Sequence, residues 1–501
     1  MLESLEIVPF FSYRRLVPIA AALSLAACVT VTNDPINELS VSQTNLVETL
    51  PESTDSEDIT VIGLGFSGGG TRAAAFSYGL LRELEATPMP GDPNGRSMLD
   101  AVRFISGVSG GSVTAAYYGL KGKGGYHDFR EKFLIRDAEV DMRTRVGPTN
   151  ILRAIGGGVN DKSSFGSWLD KNVFNGARFS DLNRPGTPVV WINASDLYNR
   201  TPFIFNDETF SALCSDLDKL PISEAVAASA AVPVVFAPIV LEAYGKRCTY
   251  HEPGWLQTAQ QNPASPSSLR AFAGALQFYR DATKLKYVKL VDGGITDNFG
   301  VTALTLARAQ SQTPYGPLTP REAVKLKRII YLVADAGRAP DAEWGATVQG
   351  PGVVELISAV TDTAISASVR DGYDAFRLTM ERWQKDLIDY RCSLKQSEVK
   401  RLRGTVSGWN CRDLKFFVGD VSFADVEPVK RGRLQSIATR LKLPTDQVDL
   451  AIAGGAEALR SDSTFAGALR SMAGADTAGK DRMIPSAPAV VTPTPMPISS
   501  N

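Results

Sequence analysis

The chain has 501 residues, of which 44% are hydrophobic and 21% are charged, a composition typical of a globular protein with one large or two smaller domains. Because 53 Lys and Arg are balanced by 54 Asp and Glu, the net charge of −1 gives no sign of a nucleic-acid partner. Only two histidines are present and no cysteine spacing fits a zinc site, so we expect neither a metal centre nor a cofactor.

The first 27 residues have the pattern of a secretory signal. Arg14 and Arg15 precede an apolar run, Leu16 to Ala27, of about 12 residues, whereas a membrane span needs about 20. The end of this run, Leu-Ala-Ala-Cys28, resembles the bacterial lipobox, whose cysteine is diacylated and becomes the new N-terminus. The alternative is a core helix, but the run shows no amphipathic period. The resemblance implies a signal peptide at 1–27 and a membrane-anchored, extracytoplasmic protein lipidated at Cys28.

The two ends of the remaining chain are polar and rich in proline. Residues 28–58 carry Pro35 and Pro51 within an acidic Ser/Thr-rich stretch, which predicts a tether between lipid and domain. Val29 directly follows the cysteine, and the resemblance to sorted lipoproteins then favours the outer membrane. Residues 474–501 contain five prolines after Met483, which predicts a disordered tail.

Between these ends, apolar β-branched runs alternate with helical stretches, a pattern typical of an α/β domain over residues 59–338. Most of the runs are continuous rather than alternating, which indicates buried and mostly parallel strands covered by helices on both faces. The predicted strands are Ile59–Gly65, Val102–Ser106, Val189–Asn193, Tyr287–Val291 and Ile329–Ala334. Residues 339–473 predict a C-terminal extension packed on this domain, with a helix around Val353–Leu387 and a strand at Leu414–Val421.

A Gly-x-Ser-x-Gly motif, Gly107 to Gly111, lies directly between a predicted strand and a predicted helix. This is the setting of a nucleophile elbow, in which flanking glycines allow a tight turn and the central Ser109 is exposed above the sheet. Taken alone, the motif is also compatible with a plain strand–helix turn capped by serine.

A second glycine cluster, Gly68-Gly69-Gly70-Thr71-Arg72, follows the first predicted strand and leads into a helix. Consecutive backbone N–H groups without side chains can converge on an anion. A nucleotide phosphate loop would need a Lys-Ser/Thr pair that is absent here, and a bare turn is the other alternative. Acyl transfer requires a nucleophile and oxyanion donors, which the two glycine motifs supply together.

Asp292 ends another apolar strand and precedes Gly293 and Gly294. Because the carboxyl ends of parallel strands share one edge of a sheet, Asp292 and Ser109 are able to meet there. An aspartate before two glycines is also an ordinary turn residue.

The three motifs, in this order and spacing, resemble the patatin-like phospholipase family, and the likeness extends from Ile59 to Gly337. The stretches Asn193–Leu197 and Ala227–Pro233 resemble it as well. The resemblance implies a three-layer sandwich in which Ser109 is the nucleophile and Asp292 its base. It further implies an oxyanion hole formed by the backbone of Gly68, Gly69, Gly70 and Gly110, with Gly107, Gly111, Gly293 and Gly294 as motif glycines.

This sequence departs from the family pattern at two positions. Ser67 stands where aspartate is common, and Ala73 replaces the last glycine of the loop motif, although neither change removes a backbone donor. Arg72 fills the usual basic position, where it would contact a substrate oxygen or form an ordinary solvated or ion-paired contact.

Four cysteines remain after Cys28, namely Cys214, Cys248, Cys392 and Cys411, and an oxidising compartment would allow two disulfides. Proximity along the chain favours Cys214 with Cys248 and Cys392 with Cys411, but three connectivities are possible.

The predicted activity is hydrolysis of lipid carboxylic esters, of phospholipase A or lysophospholipase type, through an acyl-serine intermediate. A general esterase and a non-catalytic lipid-binding lipoprotein are the alternatives. A Ser-His-Asp triad would need His127 or His251, but Asp292 follows both, which is the wrong chain order for an α/β-hydrolase. The expected partners are a lipid ester and, through the N-terminal lipid, a membrane.

Overall fold

The computed structural model describes residues 33–41, 59–143, 150, 153, 157–338, 343–346 and 348–474. The predicted signal peptide, Cys28, most of the predicted tether and nearly all of the predicted tail lie outside these residues.

A single eight-stranded sheet forms the centre of the molecule, in the order β5-β6-β3-β2-β1-β7-β8, with β4 paired to β3. Its strands are β1 (Ile59–Phe66), β2 (Val102–Val108), β3 (Val189–Asp196), β4 (Thr201–Ile204), β5 (Ile239–Glu242), β6 (Tyr287–Asp292), β7 (Leu326–Asp335) and β8 (Lys415–Ser422). The five neighbouring strands β3, β2, β1, β7 and β8 are parallel to one another. Strands β4 and β6 each pair antiparallel with β3, and β5 pairs antiparallel with β6. The predicted fold class, a mostly parallel sheet flanked by helices, is confirmed.

Fifteen α-helices lie in the described residues. They are α1 (Gly70–Ala86), α2 (Gly110–Lys121), α3 (Phe165–Leu169), α4 (Asp207–Ala212), α5 (Ile222–Ser229), α6 (Gly254–Gln261), α7 (Ser267–Arg280), α8 (Gly294–Asp297), α9 (Thr302–Gln310), α10 (Pro320–Lys325), α11 (Val353–Ser393), α12 (Gln396–Arg403), α13 (Pro428–Gln435), α14 (Thr445–Ser461) and α15 (Ser463–Met472). No helix in the described part of the chain combines the length and the apolar character needed to cross a membrane.

The sheet core is built from the continuous apolar strands. Ile62, Leu64, Ile330 and Leu332 are fully buried, because β1 and β7 lie in the middle of the sheet with strands on both sides. Burial on both faces explains why these strands show no alternation of polar and apolar residues.

Residues after 338 are integral to this sheet. The strand β8 pairs in parallel with β7 from Arg328 to Asp335, and α14 packs along α1 so closely that a Cβ at Gly79 would lie 2.0 Å from the Ile452 carbonyl oxygen. The C-terminal part of the chain therefore supplies one edge of the sheet and covers the helix that follows the glycine loop.

Residues 33–41 form a strap along the opposite edge, and here the prediction of a free tether over 28–58 needs correction. Ile36 N–H donates to the Val240 carbonyl, and the Asn37 carboxamide both donates to the Glu242 carbonyl (3.1 Å) and accepts from the Glu242 N–H (2.8 Å). An edge strand such as β5 presents unpaired backbone groups, and two asparagine side chains, Asn33 and Asn37, satisfy part of that row.

Candidate active site

Ser109 lies in a sharp turn between β2 and α2. Its backbone has φ 51° and ψ −121°, a conformation that residues other than glycine rarely adopt. The turn is held by a hydrogen bond in which Ser109 N–H donates to the Ser229 hydroxyl over 2.8 Å. A strained backbone fixed by a buried partner is typical of functional sites, and this geometry is that of a nucleophile elbow.

Glycine at position 110 is required by the packing of the elbow against the glycine loop. A Cβ at Gly110 would lie 2.0 Å from the Gly70 carbonyl oxygen. The two glycine motifs predicted from the sequence are therefore in direct backbone contact, and a Cβ at Gly111 would lie 2.5 Å from the Phe66 carbonyl oxygen.

The glycine loop at the end of β1 presents fewer donors than expected. Gly68 N–H donates to the side-chain oxygen of Asn298 (3.1 Å) and to its carbonyl oxygen (3.3 Å), so it is not available to an oxyanion. Within the described residues, the N–H groups of Gly69, Gly70 and Gly110 have no hydrogen-bond partner. Gly70 and Gly110 are the first residues of α1 and α2, where backbone N–H groups have no partner within the helix.

Asp292 reaches the site by a route different from the one predicted. The strand β6 is antiparallel to β3 and overlaps only its last residues, with Asp292 beside Ala194, while Val108 of β2 lies beside Asn193. The carboxyl end of β6 therefore arrives at the edge where the parallel strands end, and this places Asp292 next to the elbow.

The Asp292 carboxyl group is almost completely buried, with 4% of the residue exposed. Burial raises its pKa to about 6, against the opposing effect of the hydrogen bond from Gly294 N–H and of the nearby Ser109 hydroxyl. The Gly294 bond measures 2.9 Å. A buried carboxylate with a pKa near neutrality, close to a serine hydroxyl, has the properties of a group that accepts the serine proton directly.

Three further residues, Ser229, Ser195 and Asn298, hold these parts together, and no role was predicted for them. Ser229 accepts from Ser109 N–H, donates to the Asn193 carbonyl (2.6 Å) and accepts, through its own carbonyl, from Gly293 N–H (3.1 Å). Ser195 donates to the Asp292 carbonyl (2.8 Å). Ser229 and Ser195 lie in the two additional stretches noticed in the sequence, whereas nothing in the sequence marked Asn298.

Arg72 does not face the site. It is 3% exposed, and its guanidinium donates to the carbonyl oxygens of Ala336 (3.0 Å) and Ile437 (2.6 Å). Burial lowers its pKa to about 10, which is still far above neutrality. Of the two roles considered for Arg72, a substrate contact or an ordinary solvated or ion-paired contact, these bonds support neither directly: Arg72 joins the glycine loop to the end of β7 and to the C-terminal region.

Both histidines lie far from the elbow. His127 follows the C-terminal end of α2, about 18 Å along the helix from Ser109, and is paired with Glu85 at 2.9 Å. His251 is exposed and follows β5, whose last residue pairs with the first residue of β6 rather than with the end that carries Asp292. The described residues thus bring neither histidine to Ser109.

The cysteines and the other polar clusters lie outside the site. Disulfides join Cys214 to Cys248 and Cys392 to Cys411, with Cα–Cα distances of 5.4 and 5.0 Å. Cys28 falls outside the described residues. Among the described residues no group of three or more His, Cys, Asp or Glu side chains is arranged to hold a metal ion.

Comparison with known proteins supports the same fold. Residues 64–305 match the family described as patatin-like phospholipase. No curated protein sequence matches the chain.

Three solved structures are similar to this chain at low identity. Human GIVD cytosolic phospholipase A2 is 14% identical with a TM-score of 0.37, and the alignment covers 83% of this chain and 63% of that one. VipD from Legionella pneumophila is 13% identical with a TM-score of 0.26, covering 86% and 72% of the two chains. The ExoU–SpcU complex from Pseudomonas aeruginosa is 14% identical with a TM-score of 0.18, covering 82% of each. This chain therefore spans less than two thirds of the first of these proteins.

Proposed function

We propose that the protein is a serine acyl hydrolase that cleaves carboxylic esters of lipids with a Ser109–Asp292 dyad, because residues 64–305 match the patatin-like phospholipase family. The observation that carries the proposal is the buried Asp292 carboxyl group with its raised pKa, close to the hydroxyl of a serine held at positive φ.

In the first half of the reaction, Asp292 accepts the Ser109 proton while the hydroxyl oxygen attacks the ester carbonyl carbon. The carbonyl oxygen becomes negatively charged and is stabilised by the unpartnered N–H groups of Gly69, Gly70 and Gly110. Collapse of the tetrahedral intermediate breaks the carbonyl–alkoxy bond, and protonated Asp292 returns its proton to the leaving alcohol.

In the second half, water replaces the alcohol and attacks the acyl-serine. Asp292 accepts a proton from the water, and the fatty acid leaves as Ser109 recovers its proton. A base whose pKa is near 6 is deprotonated at neutral pH and is strong enough to receive the proton, which an ordinary aspartate with a pKa of about 3.9 does less well.

Long-chain glycerophospholipid or lysophospholipid is the proposed substrate, presented at a membrane to which lipidated Cys28 anchors the protein, with delivery to the outer membrane. The lipobox-like sequence supports the anchoring, and the family assignment supports the substrate class. A general esterase acting on short-chain or neutral esters is the second candidate.

Turnover of a panel of esters tests the proposal. The purified protein is assayed on phospholipids and lysophospholipids of several chain lengths and on a soluble p-nitrophenyl ester, with Ser109→Ala as the matched inactive control. We expect the wild type to release fatty acid from the lipids, and we expect the rate of the variant on every substrate to be at least about 10³-fold lower. Full activity of Ser109→Ala contradicts the dyad, and turnover of soluble esters alone withdraws the phospholipase assignment in favour of an esterase.

A further inference from the structure

The strap begins level with the edge of the sheet that carries Ser109 and Asp292, and the long helix α11 extends past that edge. From this geometry, and resting on the function proposed above, we propose that this catalytic edge is the membrane-facing surface of the protein. A lipid bilayer is its partner, and the apolar N-terminal end of α11 is the part that enters the bilayer.

The strap places the beginning of the described chain at the catalytic edge. Its residues 33–37 run alongside β5, and Asn33 donates to the Pro238 carbonyl over 2.7 Å. Since Ile239 pairs with Leu290, Pro238 lies level with the last residues of β6, which carry Asp292. One strand spacing of about 4.8 Å separates the strap from β5, and a second separates β5 from β6. Asn33 therefore lies only about 10 Å to the side of Asp292.

Only four residues lie between Cys28 and Asn33, so five residue steps join the two Cα atoms. Even a fully extended chain of this length spans no more than about 18 Å. A lipid on Cys28 is therefore confined to the neighbourhood of the catalytic edge, whereas a free tether of residues 28–58 would allow the domain to turn any face toward the membrane. Because the chain between Cys28 and the strap is short and the strap begins at the catalytic edge, a lipid on Cys28 would hold this edge toward the membrane.

The helix α11 crosses the sheet and then continues beyond it. Arg391 donates to the carbonyl of Leu326 at the start of β7, the ring of Phe376 packs on Tyr331 in the middle of β7, and Ser368 donates to the Gly294 carbonyl at the catalytic edge. Residues before Ser368 consequently project past this edge, and at 1.5 Å per residue the first turn lies about 22 Å beyond it.

The projecting end is apolar on its exposed surface. Leu356, Ile357 and Val360 are 51%, 39% and 61% exposed, about 12 to 18 Å past the edge. Residues 343–369 contain no lysine or arginine, and their charged residues are Glu343, Glu355 and Asp362. A contiguous exposed apolar group marks an interaction surface. Because this stretch offers no positive charge to anionic headgroups, a contact with a bilayer here depends on its apolar side chains.

The test uses the full-length lipidated protein reconstituted in phosphatidylcholine vesicles, some of them made with brominated acyl chains that quench tryptophan. Trp344, which precedes α11 and is 40% exposed, is the reporter, and Trp344→Phe identifies its share of the fluorescence. We expect quenching of Trp344 in the wild type. The double variant Leu356→Asp/Val360→Asp should lose this quenching and reduce hydrolysis of vesicle lipid at least about tenfold, since each charge replaces a side chain that enters hydrocarbon.

Leu378→Asp is the matched control, because Leu378 is 61% exposed on the same helix but lies on the far side of Ser368, over the sheet. It should retain both quenching and vesicle-lipid hydrolysis, and all variants should turn over a soluble short-chain ester at the wild-type rate. The proposal is overturned if Trp344 is not quenched in the wild type. It is also overturned if Leu378→Asp loses as much quenching and vesicle-lipid hydrolysis as the double variant.

Two other outcomes separate this inference from its premises. If the double variant converts a dimer to monomers while quenching persists, the apolar end is an interface between copies and the proposal is overturned. If Trp344 is quenched but no vesicle lipid is hydrolysed by any form, the docking is supported and the phospholipase assignment fails.

Discussion

The catalytic edge and the first turns of α11 are neighbours, yet they meet solvent in opposite ways. At the edge, polar groups are buried and tied to one another: Ser109 N–H to Ser229, Gly68 N–H to Asn298, and Gly294 N–H to Asp292. On the projecting helix, apolar side chains are exposed. Burying a polar group costs free energy unless it is hydrogen-bonded, so the paired groups at the edge hold the site residues in one arrangement. The exposed apolar side chains of the helix do not hold the site residues in place and instead offer a surface for contact with a partner.

Replacing Asp292 by asparagine should have the largest effect on activity, and it tests whether this carboxyl group at the edge is the base. The variant removes the base, and we expect turnover of a soluble ester to fall at least about 10³-fold. His127→Ala and His251→Ala are the matched controls and should keep most of the activity. A loss in either histidine variant, with intact folding by circular dichroism, would revive a histidine-based mechanism.

The same variant should stabilise the protein. Asp292 has a folded-state pKa of about 6, above the usual 3.8, so the fold favours the protonated form and its stability declines as pH rises between these values. The penalty is then complete above pH 6, and a neutral asparagine removes it. We expect thermal unfolding at pH 8 to show a higher Tm for Asp292→Asn than for the wild type, and a lower Tm would contradict the burial argument.

Ser229→Ala should have an intermediate effect, because Ser229 positions the nucleophile without contacting substrate. Loss of its hydroxyl leaves the buried Ser109 N–H unpaired and releases the strained turn, a defect of about 1 to 3 kcal/mol. We expect kcat on a soluble ester to fall about 10- to 100-fold with little change in KM. Ser223→Ala, a buried serine on the same helix α5, serves as control and should leave kcat unchanged. A rise in KM with normal kcat would argue against positioning.

The effect of pH on activity should be the smallest of these effects at pH values near neutrality. Because Asp292 must be deprotonated to accept a proton, kcat/KM for a soluble ester should be half-maximal at about pH 6 and fall about tenfold for each pH unit below that. An ordinary aspartate would keep full activity down to about pH 5. An acid limb centred near pH 4 would show that burial does not shift this carboxyl group.

The sequence was sufficient for the parts of the site that depend on local motifs. Every predicted strand is present, and the elbow and glycine loop lie where strand–turn–helix patterns placed them. The short strands β4 and β5 were missed because four residues give too little periodicity to recognise.

Contacts between distant residues are what the sequence could not reveal. The partner of Gly68, Asn298, is 230 positions away, and the partner of Arg72, Ile437, is 365 positions away. No local pattern states which carbonyl or carboxamide a backbone N–H will meet across the fold. The same reason explains why residues 33–41 looked like a tether, since their polar composition gave no sign of the edge strand they cover.

The junction between the glycine loop and the C-terminal region has a consequence for the order of synthesis. Thr71 N–H donates to the Arg440 carbonyl and Arg72 to the Ile437 carbonyl, so the glycine loop obtains these partners only from residues made much later, 365 positions on in the case of Arg72. A nascent chain that has not yet delivered residues 437–440 lacks these two contacts of the glycine loop. Formation of the loop as described is therefore coupled to synthesis of residues 437–440, long after the motif residues themselves have been made.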